Sequence, residues 1–132
     1  MLKKKSTKIE MNIFVIMPFR HTPMRNKSQL TAFFDDQIKK TIEQGRFKFK
    51  YNVRRSDETF NITEQIIKDI YDADIVICDL SGKDSNPNVM YELGIRLALT
   101  NRPVILIREA HAENKTIFDI SGFYVHSYDP LN

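Results

Sequence analysis

The sequence predicts an α/β fold on a parallel sheet, and three observations carry that expectation. Two runs, Asn12 to Met17 and Ile75 to Leu80, are apolar almost without alternation, as strands covered on both faces are. Between and after them lie stretches whose apolar residues recur at helical spacing. One stretch differs: Phe47, Phe49, Tyr51 and Val53 alternate with Arg46, Lys48, Lys50 and Arg54, the period of a strand with one solvated face. That pattern suits the edge of a sheet.

Taken in order, the first strand is stopped by Pro18. Ser28 can cap a helix whose stripe is Leu30, Phe33, Phe34, Ile38 and Ile42, and Gly45 can end it. The edge strand follows. Asn61 with Glu64 three residues later has the form of a capping box, opening a second helix with Ile62, Ile66, Ile67, Ile70 and Tyr71 inward and an end near Asp72. After the strand Ile75 to Leu80 and the loop Ser81 to Ser85, Asn86 as cap and Pro87 at the first helical position open a third helix. Pro103 leads into the strand Val104 to Ile107; a helical turn is expected around Ile117 to Ile120, and a last strand at Phe123 to Ser127. Right-handed crossovers joining five such strands favour the flavodoxin-like order 2-1-3-4-5, a three-layer sandwich.

The length, 132 residues, suits one domain, which at this size buries about 68% of its unfolded surface and needs neither disulfides nor a structural metal. Residues 1–10 read as a flexible basic tail and 11–132 as the domain. The net charge of +3 is uneven: Lys3, Lys4, Lys5 and Lys8 stand without an acid in the first eight residues, leaving the other 124 at −1. No apolar run approaches the roughly 20 residues of a membrane span, so a cytoplasmic protein without a membrane partner is expected. The lone Cys78, inside an apolar run, reads as a small hydrophobe. Nucleic acid is not an expected partner, because the alternating stretch turns its aromatics inward and its cations outward, and edge-strand lysines commonly guard against strand pairing.

In such a sheet the ligand crevice lies past the carboxyl ends of the strands where the winding reverses, between the first and third strands. The loops that must border it carry Phe19, Arg20 and His21 on one side and Asp79, Ser81, Asn88, Tyr91 and Glu92 on the other. There is no GxGxxG or GxxxxGK[ST], which disfavours a nucleotide held in a glycine cradle, and His21, His111 and His126 show no metal-ligand spacing. No metal and no cofactor are expected. Asp79 would suit a phosphoacceptor, but the residues after the first strand, Met17 Pro18 Phe19 Arg20, include no acid to hold magnesium. Glu92 has two readings. As an exposed ion pair with Arg96 at i,i+4 it contributes about 0.3 to 0.5 kcal/mol. As a carboxylate near the N-terminus of the third helix, kept ionised by the helix dipole, it can stabilise or attack a sugar C1′ as a base departs. Asp79 either positions a sugar hydroxyl or helps the leaving base, or simply caps the next loop.

The segments Phe14 to Phe19, Ala73 to Gly82 and Asn86 Pro87 Asn88 Val89 Met90 Tyr91 Glu92 Leu93 Gly94 Ile95 resemble the bacterial nucleoside 2-deoxyribosyltransferase-like proteins, which are similar in turn to TIR domains that cleave NAD. The likeness runs from about residue 12 to residue 129. It implies a TIR/deoxyribosyltransferase-like α/β domain with Glu92 as nucleophile or transition-state stabiliser and Asp79 near the sugar. Substrate contacts are implied for Met17, Pro18, Phe19, Arg20, Asp57, Ser81, Asn88 and Tyr91, with Phe19 stacking on a base and Arg20 meeting a phosphate. The implied activity is N-glycosidic cleavage or transfer on a nucleoside, nucleotide or NAD, the last as substrate rather than cofactor, in a homo-oligomer. The other reading is a non-catalytic nucleotide-sensing module of a bacterial defence or signalling system.

Overall fold

The computed structural model describes residues 9–56, 63–82, 86–110 and 123–131. Five parallel strands form one sheet in the order β2-β1-β3-β4-β5: β1 Glu10–Ile16, β2 Lys50–Arg55, β3 Ile75–Asp79, β4 Val104–Glu109 and β5 Val125–Tyr128. The pairing is parallel throughout, with Ile16 opposite Cys78 and Glu109 opposite Tyr128. The expected sheet order and the edge position of β2 are therefore observed. β1 starts at Glu10, two residues before Asn12 and within the stretch read as tail.

Because side chains alternate across a strand, β1 feeds two cores. Phe14 and Ile16 join Val76, Cys78 and Leu106 under the helices α3 (Glu64–Asp72) and α4 (Pro87–Leu99), while Ile13, Val15 and Met17 join Val53 under Leu30, Phe34 and Ile38. The second set of helical residues belongs to one long run: α1 (Lys27–Ala32), a π-helical segment (Phe33–Lys39) and α2 (Lys40–Glu43). Its cap is Asn26 rather than the expected Ser28, because Asn26 and Gln29 satisfy each other's backbone N–H groups at 2.9 and 2.8 Å. The π segment, closed by the Lys40 N–H on the Asp35 carbonyl, widens the helix without losing the Phe34 and Ile38 side of the stripe.

Two other boundaries differ from expectation. The cap of α3 is Thr63, whose hydroxyl accepts the Ile66 N–H at 3.3 Å; Asn61 lies outside the described residues, as does the turn expected at 117–120. β2 begins at Lys50 instead of Phe47, since its first ladder bond runs from the Lys50 N–H to the Ile9 carbonyl (3.0 Å), immediately before β1 starts at Glu10. The chain before it turns tightly at Gly45, where an added Cβ would stand 2.2 Å from the Phe47 ring.

The outer edge of β2 is closed at its centre. Val53 donates its N–H to Glu43 (2.9 Å) and its carbonyl accepts from Lys39 (2.8 Å), while Lys39 and Glu43 pair at 3.0 Å. Burial pushes the Glu43 carboxyl up, but the Val53 N–H and Lys39 outweigh it and leave the pKa below the ordinary value. On the other side of the sheet, Arg96 is fully buried and donates to the carbonyls of Ile70 (2.7 Å), Ala73 (2.8 Å) and Pro103 (3.1 Å), tying the C-terminal end of α3 to α4. A cation there complements the helix's negative end. No helix among the described residues is long and apolar enough to cross a membrane.

Candidate active site

The carboxyl ends of β1 and β3 and the start of α4 meet where the sheet's winding reverses. Asn86 caps α4 by accepting the N–H groups of Asn88 (2.9 Å) and Val89 (3.2 Å), and Pro87 occupies the first turn, as the sequence predicts. That cap fixes the helix phase, which turns Tyr91 outward (61% exposed) and Glu92 inward (6% exposed).

Glu92 is the unusual member of the site. Arg96 has turned away to its carbonyls, so the expected i,i+4 ion pair does not form, and among the described residues Glu92 has no hydrogen-bond or ion-pair partner. Burial pushes its carboxyl up to about 7. The expectation that the α4 dipole keeps it ionised is thus overturned: Glu92 lies in the second helical turn, beyond the strongest part of the dipole's field, and desolvation prevails.

Asp79 is placed differently. Alternation along β3 sends Cys78 into the core beneath α4 and Asp79 to the opposite face, so the two acids project from opposite sides of the sheet and no hydrogen bond joins them. Both press electrostatically on the buried Cys78 thiol, which burial above all holds well above its ordinary pKa. Asp79 is fully buried and accepts hydrogen bonds from the Ser81 N–H (2.9 Å) and the Tyr128 hydroxyl. Burial raises its pKa, and Ser81, Tyr128 and the Arg25 guanidinium at 3.7 Å act against that rise.

These contacts belong to a buried polar network that sequence reasoning did not find. Arg25, in the loop after β1, donates from Nε to Glu109 at 2.7 Å and from Nη2 to the Tyr128 hydroxyl. The Thr22 hydroxyl donates to the same Glu109 oxygen (2.7 Å), and the Ser81 hydroxyl accepts the Glu109 N–H (2.8 Å). Phe33 stacks on Tyr128 with ring centroids 5.0 Å apart, and the Arg25 guanidinium lies against both rings. The network joins the ends of β3, β4 and β5 to the loop after β1. The one available signal was an acid, Glu109, closing an apolar strand.

The other expected residues divide by exposure. Met17, Pro18 and Ser81 are buried, Met17 within the core under the π segment. Phe19 is half-buried, with the Arg55 guanidinium 5.5 Å from its ring, and Arg20 and Asn88 are exposed. Asp57 lies outside the described residues. Comparison with models of protein families finds no match, and no curated protein matches the sequence. The site therefore rests on its geometry. Among the described residues no group of three His, Cys, Asp or Glu side chains is arranged to hold a metal ion. A cavity of about 600 Å³ opens beside β2, between Phe34 and Lys39 on one side and Thr63 and Ile66 on the other, and neither Glu92 nor Asp79 lines it.

Proposed function

We propose that the chain cleaves or transfers the N-glycosidic bond of a nucleoside, nucleotide or NAD, as a flavodoxin-like domain of the deoxyribosyltransferase and TIR kind, with Glu92 at the sugar. The observation that carries this reading is Glu92 itself: a buried carboxylate without a protein partner among the described residues, at the sheet's reversal point, with a pKa near 7. Structural carboxylates are ordinarily paired when buried, since desolvation is costly. An unpaired one titrating near neutrality suits an acid or base in chemistry.

In this reading the ionised Glu92 faces C1′ as the C1′–N bond breaks and its electron pair leaves with the base. The carboxylate either stabilises the resulting oxocarbenium or bonds to it, and water or a second base then takes the sugar. Phe19 offers a ring for the base and Arg20 a cation for a phosphate. Asp79 acts as a positioning residue, because Ser81, Tyr128 and Arg25 already occupy its oxygens.

That engagement of Asp79 also favours a second reading, a nucleotide-sensing module that binds without turnover, since Glu92 is left without an open carboxylate partner. Incubation with NAD and a panel of deoxynucleosides separates the two. Base release by the wild type, lost in Glu92→Gln, supports the enzyme. Tight nucleotide binding without release, unchanged in Glu92→Gln, supports the sensor. Neither release nor binding removes both.

A further inference from the structure

Helix α4 is unusual in what it shows to solvent. Its only charged residues, Glu92 and Arg96, are both buried, so its exposed side carries no charge. A surface helix ordinarily turns its charges outward and keeps its apolar stripe for the core. Here Tyr91 and Leu99, about two turns apart, are 61% and 52% exposed. The neighbouring helix continues the face. Gln65 and Asp69 of α3 turn toward β2, where Asp69 pairs with Arg54 at 2.6 Å, so Ile67 and Tyr71 occupy the opposite flank, on the side of α4. Tyr71 is 48% exposed. On the outer side of α3 stand Lys68 and Asp72, both exposed, and among the described residues neither side chain has an ion-pair partner. They do not pair with each other, a lysine four residues before an acid being the weaker orientation on a helix.

We propose that this face joins two copies of the chain around a two-fold axis, with α3 and α4 each antiparallel to its own copy. Lys68 and Asp72 lie equally far from Ile70 along α3, and Tyr91 and Leu99 equally far from Ile95 along α4. An axis crossing at Ile70 and Ile95 therefore sets Lys68 of each copy against Asp72 of the other, and Tyr91 of each against Leu99 of the other. The bond from Arg96 to the Ile70 carbonyl (2.7 Å) brings those two centres side by side, so one axis serves both helices. Such reciprocal contacts are what a two-fold interface requires. A foreign partner has to supply an acid and a base at the matching spacing, whereas a second copy carries both. Two tyrosines and two aliphatic side chains, each roughly half exposed or a little less, offer on the order of 400 Å² of apolar surface per copy, which with the charged rim stands at the lower end of specific interfaces. The pairing does not depend on the chemistry at Glu92. It closes on itself, so association stops at two copies.

Analytical ultracentrifugation of the full chain tests this. The wild type is expected to pass from monomer to dimer with a Kd on the order of 10 to 100 μM, as suits an interface of this size. Lys68→Asp and Asp72→Lys each set like charges against one another at two places in the dimer, and each is expected to weaken association by about tenfold. Both side chains are exposed, so neither change disturbs the fold. The double variant Lys68→Asp, Asp72→Lys restores opposite charges across the axis and is expected to return to within about threefold of the wild type. Leu99→Lys places a charge in the apolar centre and is expected to abolish the dimer. A wild type that stays monomeric to about 500 μM overturns the proposal. So does a double charge variant no tighter than the single ones, or a dimer that Leu99→Lys leaves intact.

Discussion

Glu92 is the residue at which stability and chemistry pull in opposite directions. Its ordinary pKa of 4.5 rises to about 7 on folding, so the folded state favours the neutral acid. The stability this acid contributes is intact below about pH 4.5, falls as pH rises toward 7, and levels off above, a difference on the order of 2 to 3 kcal/mol. Glu92→Gln keeps the shape without the charge. Urea unfolding is expected to show the variant near wild type at low pH and more stable by that amount at about pH 8; a difference independent of pH would contradict the burial argument. If the ionised form works at the sugar, kcat/KM for base release rises with pH through about 7 and then holds level, and a falling profile would make Glu92 the proton donor instead. Arg96, one turn on, has a purely structural part. Arg96→Met leaves the carbonyls of Ile70 and Ala73 buried without donors, a loss of about 2 to 4 kcal/mol by chemical denaturation.

At the scale of the element, the edge of β2 shows how a helix protects a strand. Lys39 and Glu43 cover both backbone groups of Val53, so an incoming strand meets no free donor or acceptor at the middle of the edge. The double variant Lys39→Ala, Glu43→Ala is expected to remain folded but to associate at high concentration, seen as a rising mass by light scattering; a monomer at all concentrations would show that other features guard the edge. Because the folded pKa of Glu43 is depressed, its contribution is present above about pH 4.5 and is lost as pH falls through the folded value. Elements of this kind differ in how legible they are. The Asn86 cap and Pro87 were readable because their signals and their effects are adjacent in the chain. The π segment was not, since a shift from i−4 to i−5 hydrogen bonding leaves the apolar stripe in place and has no residue code. The start of β2 was misjudged because alternation continues through Phe47, while pairing waits for Ile9 on the neighbouring strand.

For the whole molecule, the sheet order followed from apolar strands, amphipathic helices and handed crossovers, all of them local or topological. What joins the strand ends did not, because Arg25 meets Glu109 across 84 residues and Tyr128 across 103, and no pattern in either segment announces the other. The network is also where the fold stands most exposed to a single change. Arg25 is the cation between two buried carboxylates, Asp79 at 3.7 Å and Glu109 at 2.7 Å. Removing it takes the guanidinium from both in a medium that penalises buried charge, a loss of about 3 to 5 kcal/mol. Arg25→Met, which keeps much of the contact with Phe33 and Tyr128, is therefore expected to lower stability by that amount in chemical denaturation. Arg25→Lys restores only part, since an ammonium lacks the fork that reaches Glu109 and the Tyr128 hydroxyl together. Adding Glu109→Gln to Arg25→Met is expected to recover a substantial share, because one of the two buried charges that Arg25 faced disappears. A single variant within about 1 kcal/mol of wild type, or a double variant no better than the single, would mean that packing rather than charge holds the ends of β3, β4 and β5 to the loop after β1.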